Sequence, residues 1–271
     1  MPRSSLANRF VAIRAVVASL AILAGAALPA APAAATAPLL DGWRPAPAPV
    51  VVTVHVLRVA GPGPAATPGR AVSPAGGDPC SDRARSVTGA RWADTYEWSF
   101  RARTTPGNLT RRAAAAALKQ AVANITRANN DCGRPDRVSA TARYLGVSDR
   151  RPAPTANGTC APQDEFNAVG FGRLPAGIAG LTCIWSIGDR IIEADIKLDK
   201  GAQWATTLAT CSFETMVEAV ATHEFGHVFG LGHVSEESHG RLTMSERLDG
   251  YCQNGESTLG TGDMLGLEAL Y

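Results

Sequence analysis

The sequence predicts an α/β fold of the α+β kind, a sandwich of modest size. Strand-like runs alternate with few helix-like ones along the back two thirds of the chain. Apolar residues make up 45% and charged residues 18% of the 271 positions, which supports a folded core and excludes wholesale disorder. No internal repeat is present, and the length allows one or two domains.

The elements follow in order. Residues 36–87 are rich in Pro, Gly and Ala and read as a linker or pro-region. Within them, Val50–Val59 is a β-branched run and a strand signal. The folded domain, 88–271, begins where the texture changes. Thr95–Arg103 reads as a strand, and Leu109–Asn130 as a helix that starts near Asn108 or Thr110. Val138–Leu145 and Asn167–Leu174 read as strands. Leu181–Ile187 and Arg190–Leu198 are two more, joined by Gly188 and Asp189, a tight-turn signal. Ser212–Gly230 is expected as a second helix, with Ser212 as N-cap and Glu214 in the first turn. A last helix covers Gly262–Tyr271.

Residues 1–35 read as a secretory signal peptide. Arg3, Arg9 and Arg14 precede the uncharged apolar stretch Ala15–Leu28, and a small-x-small site ends at Ala35. That stretch is short for a bilayer span of about 20 residues, and no later stretch is long enough. The expectation is a secreted, extracellular monomer without membrane insertion once the signal is removed. Removal of the three arginines leaves 23 basic against 24 acidic residues, a balance that predicts no nucleic-acid partner. Cys80, Cys132, Cys160, Cys183, Cys211 and Cys252 all follow the signal. An even number in an exported chain reads as three disulfides, with fifteen possible pairings.

The second helix carries the chemistry. His223 and His227 are four residues apart and face one side of a helix. Glu224 stands beside them. Gly230 and Gly232 let the chain stop and turn, since glycine accepts positive φ. That turn brings His233 back as a third ligand. Three nitrogens on tetrahedral zinc leave one position open, the arrangement of a catalytic site. Water there has a pKa near 7, and Glu224 is placed to take its proton. The string HExxHxxGxxH has a chance expectation of about 10⁻⁵ in a chain of this composition, against the bland alternative of solvated surface histidines.

This constellation resembles the metzincin zinc endopeptidases. Met244 lies where their Met-turn is expected, as packing under the metal and not as a ligand. Within the metzincins the chain is most similar to a matrixin. His223–His233 resembles the matrixin helix, Ala194–Asp199 with Trp204 the strand and tryptophan before it, and Leu259–Tyr271 the C-terminal helix. The resemblance implies a metzincin-like catalytic domain: a twisted mixed sheet, an active-site helix and a C-terminal helix. There are departures. Val234 stands where matrixins usually have Ser. Gly262 replaces the first of two aspartates, and Asp263 alone remains. With only His55 and His239 left over, a second, histidine-rich zinc site cannot be assembled, so one zinc is expected. Glu246 stands where astacin-like enzymes have tyrosine, and no propeller-like domain is expected. Cys132–Asp136 resembles the cysteine switch of matrixin propeptides, but it follows the first long helix, so a disulfide is the stronger expectation. Cys211–Cys252 would tie the entrance of the active-site helix to the segment after the Met-turn, with Cys160–Cys183 and Cys80–Cys132 as the other pairs.

For substrate, the resemblance implies that Leu181–Ile187 is the sheet edge above the cleft, where an extended peptide adds by main-chain hydrogen bonds. Leu181, Cys183 and Trp185 are the candidate contacts on it. Residues 245–256 would wall the pocket past the cleaved bond, with Tyr251 packing there or touching substrate. Calcium is possible at Asp189, Asp195 and Asp199, although no calcium loop is spelled out. The expected function is a secreted zinc endopeptidase acting on protein or peptide substrates. The alternatives are a non-catalytic zinc-containing binding module, which the intact Glu224 argues against, and a zinc hydrolase of a non-peptide bond.

Overall fold

A computed structural model describes residues 48–59, 76–248, 251–252 and 257–271. The expected signal peptide lies outside the described residues, as do most of the Pro-rich segment and part of the expected pocket wall. The described residues belong to one compact unit, Pro47–Tyr271.

Nine strands and four helices are described: β1 (Val50–Val59), β2 (Tyr96–Phe100), α1 (Arg111–Thr126), β3 (Ala142–Val147), β4 (Asn167–Gly172), β5 (Ile178–Ile187), β6 (Arg190–Asp199), β7 (Trp204–Ala205), β8 (Thr215–Met216), α2 (Val217–Val228), α3 (Glu236–His239), β9 (Arg247–Leu248) and α4 (Thr261–Leu270). Seven strands form one mixed sheet in the order β3-β2-β4-β6-β5-β1-β9. The β3, β2, β4 and β6 strands run parallel, and β5 returns antiparallel to β6 through the Gly188–Asp189 hairpin. The predicted α/β fold is therefore present, and its mixed sheet with packed helices is consistent with the metzincin-like domain expected.

The helices lie against the sheet by their apolar faces. In α1 the buried residues Ala114, Ala117, Leu118, Ala121, Val122 and Ile125 recur at helical spacing and meet α2. Thr110 caps α1, accepting from the Ala113 amide at 3.1 Å. Helix α2 is buried on nearly every side: Val217, Val220, Phe225 and Val228 are fully enclosed. An all-round apolar helix is a core helix, and this one fixes its two histidines firmly.

Three expectations need correction. Helix α2 starts at Val217, not Ser212, and its N-cap Met216 makes no side-chain cap bond. Glu214 instead accepts from the amides of Ser212 and Phe213 ahead of the helix, and Thr215–Met216 pairs with Trp204–Ala205. Strand β3 sits further along than expected because its pairing with β2 begins at Ala142. The strand β5 is not an edge: β1 pairs antiparallel along it, from Val50 opposite Ile187 to Arg58 opposite Ile178.

All three disulfides form as expected: Cys80–Cys132, Cys160–Cys183 and Cys211–Cys252. Cys132 is thus bonded, and a cysteine switch at Cys132–Asp136 is overturned.

Candidate active site

Helix α2 ends at Val228 with Phe229 as its C-cap, and Gly230 follows with φ +86°. That left-handed turn is open to glycine, and a side chain there would overlap the Ala90 carbonyl. The chain then doubles back along residues 86–88: Thr88 N–H donates to Gly230 O at 2.8 Å, and Gly232 N–H to Ser86 O at 2.9 Å. This strap delivers His233 to the two helical histidines.

The three Nε2 atoms form a tight triangle. His223 and His227 are 2.9 Å apart, His227 and His233 3.0 Å, and His223 and His233 3.1 Å. The other ring nitrogens explain what they can bind. His223 Nδ1 lies 2.7 Å from Thr243 O, and His227 Nδ1 lies 2.9 Å from Leu231 O. A carbonyl only accepts, so each Nδ1 carries the hydrogen and each Nε2 of the neutral ring presents a lone pair. Burial, reinforced by the neighbouring histidines, holds His223 and His227 well below the usual imidazole range, which keeps them neutral. Lone pairs facing one another across 3 Å repel unless a cation sits among them. The donor set therefore fits the single zinc that the sequence implies.

Beneath the triangle, Met244 is buried, and its sulfur lies where a side chain at position 226 would stand. Gly226 is thus the space that Met244 fills. The Met-turn is held from behind by Asp263 of α4, which accepts from the amides of Thr243 (3.0 Å), Met244 (3.3 Å) and Gly260 (2.9 Å). The remaining aspartate of α4 is fully committed there.

Glu224 is completely buried. Its Oε2 accepts from Thr182 Oγ1 at 2.5 Å, and Oε1 has no partner among the described residues. Burial pushes the carboxyl up to about 8, against the lowering effect of the Thr182 hydroxyl and the Leu57 amide. Gly180 faces it too, since a side chain there would overlap the carboxylate.

The substrate-contact candidates are placed differently from expectation. Leu181, Cys183 and Trp185 form a closed apolar cluster with Ala153, and Cys183 is bonded to Cys160. Alternation along β5 turns Thr182, not these three, towards α2. Tyr251 is 44% exposed and packs edge-on against Phe213, with 6.2 Å between ring centroids. The aspartates considered for calcium do not converge. Asp195 accepts from the Ala153 and Ala168 amides, Asp199 from those of Leu174 and Gly201, and neither groups with Asp189 among the described residues. Cys211, Glu214 and Cys252 cluster, but their two sulfurs are spent on a disulfide.

Sequence reasoning passed over Gly180, Thr182 and Leu57, and set aside His55 as an unused histidine. The last two carried one signal, a lone histidine two positions before a leucine inside the Val50–Val59 run, hence on one face of a strand.

Comparison with known proteins bears on the same region. No curated protein matches the chain. Residues 181–271 match the matrixin family, a span that runs from β5 through α2 and the Met244 turn to Tyr271. Matrixins are zinc metallopeptidases, hydrolases that act on peptides, and the mixed sheet and histidine-bearing helix agree with that match. Over residues 181–271 this chain is similar to the matrixins, which supports a matrixin-like metzincin reading of that stretch.

Proposed function

We propose that the protein is a secreted zinc endopeptidase in which His223, His227 and His233 hold the metal and Glu224 is the general base. The convergence of three Nε2 lone pairs beside a buried glutamate carries this reading. A structural zinc site has no use for such a base, which speaks against a binding module. The three disulfides support export, and no helix among the described residues is long and apolar enough to cross a membrane.

When bound, zinc supplies a Lewis acid that polarises a carbonyl and brings water into the ionisable range near neutral pH. The chain's own groups do the rest. The two backbone acceptors, Thr243 O and Leu231 O, fix the tautomer of His223 and His227 and aim their lone pairs inward. Thr182 orients Glu224, which takes the proton of the attacking water and returns it to the leaving amine. Once β1 is displaced from it, the backbone of β5 supplies the hydrogen bonds that align an extended peptide.

The test is hydrolysis of unfolded casein and a mixed peptide library. The protein is the chain from residue 36, intact and with an engineered cleavage site between residues 60 and 75 that allows β1 to be released. Cleavage should vanish with a chelator, return with zinc, and fall by about 10²–10⁴ in Glu224→Ala at unchanged metal content. Stoichiometric zinc without peptide cleavage by either form would favour a non-peptide substrate or a binding module.

A further inference from the structure

The face of the sheet turned away from α2 gathers cations that the histidine centre does not use. Phe100, Val169 and Ile196 belong to the main core, so alternation turns Arg101, Gly170 and Lys197 to the outer face. These three stand level on neighbouring strands. Phe100 pairs with Val169 and Gly170 with Lys197, and the Arg101 amide donates to Val169 O at 2.8 Å just past the end of β2. Neighbouring strands lie about 4.8 Å apart, so the backbones of Arg101 and Lys197 are roughly 10 Å from each other.

Two glycines of β4 bring the side chains closer still. A β-carbon at Gly172 would lie 2.9 Å from Lys197 Cδ and 3.1 Å from its Cε. The Lys197 stem therefore leans from β6 across β4, towards β2. A β-carbon at Gly170 would meet Arg101 Cβ, Thr104 Oγ1 and Pro152 Cγ, each at 3.2 Å. The Nε of Arg101 is sealed from solvent and has no hydrogen-bond partner among the described residues. Burial lowers the Arg101 guanidinium, the Arg103 and Arg151 charges lower it further, and Asp149 opposes them. Burial also lowers the Lys197 ammonium, Asp195 raises it, and the Arg101 charge lowers it again. Both acids are engaged elsewhere. Asp149 pairs with Arg103 at 2.9 Å, and Asp195 accepts from the Ala153 and Ala168 amides. Arg101, Arg151 and Lys197 form no ion pair among the described residues. The chain after residue 35 holds 23 basic and 24 acidic residues, so this gathering is local and not a reflection of overall charge. Partly buried like charges without counter-ions carry a free-energy cost that an anion would relieve.

We propose that Arg101, Arg151 and Lys197 form a binding site for a tetrahedral oxyanion, a phosphate or sulfate group. A guanidinium offers such a group two parallel N–H donors, and an ammonium adds a point charge. Three cations suit a doubly charged tetrahedral group better than a singly charged carboxylate. Arg151 is exposed, so the site is open to a free ion and to a group carried on a polymer. It lies on the sheet face opposite His223, His227 and His233, and its occupancy neither needs the metal nor covers it. Bound to a polymer, the chain is tethered with its histidine centre left open.

The first measurement needs no substitution. Sulfate, inorganic phosphate and, as a singly charged comparison, acetate are titrated separately into the zinc-loaded chain from residue 36 at low ionic strength. Saturable shifts of the Arg101, Gly170 and Gly172 amide resonances are expected with the first two and not with acetate. The second compares wild type, Arg101→Gln, Lys197→Gln and a control, Arg112→Gln, which removes an exposed cation of α1. Melting curves verify each fold. Affinity for phosphocellulose should fall at least about tenfold in Arg101→Gln and Lys197→Gln relative to the control, and much less on carboxymethyl cellulose. Saturable shifts with the small ions would support a site for the free ion. Selective loss of phosphocellulose affinity without such shifts would support a site for the same group on a polymer. Equal affinity of Arg101→Gln and Arg112→Gln for phosphocellulose, with no saturable shift, would overturn the site. Equal response to acetate and sulfate would overturn it too, as charge attraction without selectivity.

Discussion

Glu224 sits in a slot cut by two residues of β5, and the slot shows how much one hydroxyl and one missing side chain contribute. Thr182 and Gly180 are two apart and therefore share the face turned towards α2. Thr182 donates to the carboxylate, and Gly180 leaves room for it. Replacing Thr182 with valine keeps the shape and removes the donor. A hydrogen bond to a charged group contributes about 1.5–3 kcal/mol. Thr182→Val is therefore expected to lower kcat/KM by roughly ten- to a hundredfold. Bound zinc should stay at one per chain, and Thr182→Ser should recover most of the loss. Unchanged kinetics in Thr182→Val would show that Glu224 is oriented by its own burial alone.

At the scale of elements, α4 acts as a bracket for the Met-turn. Asp263 joins the start of α4 to the backbone of Thr243 and Met244, and so sets the height of the sulfur under α2. Burial pushes Asp263 up to about 6, more than its amide donors lower it. An unfolded aspartate titrates near 3.9. Between these values the folded chain holds the proton more firmly than the unfolded one, so this group makes stability fall as pH rises from about 4 to 6. Melting curves of wild type and Asp263→Asn across that range check it. The difference, wild type minus variant, should decline with rising pH and level off above about 6.5. A constant difference would mean that Asp263 is ionised throughout. The order of elements and the histidine helix were legible in the sequence because their signals are local: alternation, helical spacing, glycine after the helix. The start of α2 was not, because Ser212 and Glu214 have the composition of a cap while their bonding serves the turn ahead of it. Neither was the covering of β5, since Leu181–Ile187 reads identically whether or not a distant strand lies beside it. The candidates chosen there, Leu181, Cys183 and Trp185, were the conspicuous apolar ones, whereas the face that meets Glu224 belongs to the small and polar residues between them.

For the whole molecule, the question is what keeps His233, the ligand candidate outside α2, in register with the other two. The strap answers it. Residues 79–88 run across the turn after α2 and the start of α4: Ser86 and Thr88 bond the backbone of Gly232 and Gly230, and the carbonyls of Pro79 and Cys80 accept from the amide and hydroxyl of Thr261. The Cys80–Cys132 disulfide anchors this strap to the chain beyond α1, across a separation of 52 residues. The Cys160–Cys183 bridge spans 23 residues and lies in the small outer cluster of the sheet, away from α2. Loop-closure entropy assigns the two bridges similar contributions, about 4 and 3 kcal/mol, because the dependence on length is logarithmic. Their effects on the metal should nevertheless diverge. Replacing Cys80 and Cys132 by alanine frees the strap and with it the turn that carries His233, so zinc should leave to a chelator faster. Replacing Cys160 and Cys183 should lower the urea midpoint comparably and leave the zinc off-rate close to wild type. Both double variants can be followed by urea denaturation and by zinc release to a chromogenic chelator in the folded range. Equal off-rates in the two variants would show that the site is held by α2 and the Met-turn without help from the strap.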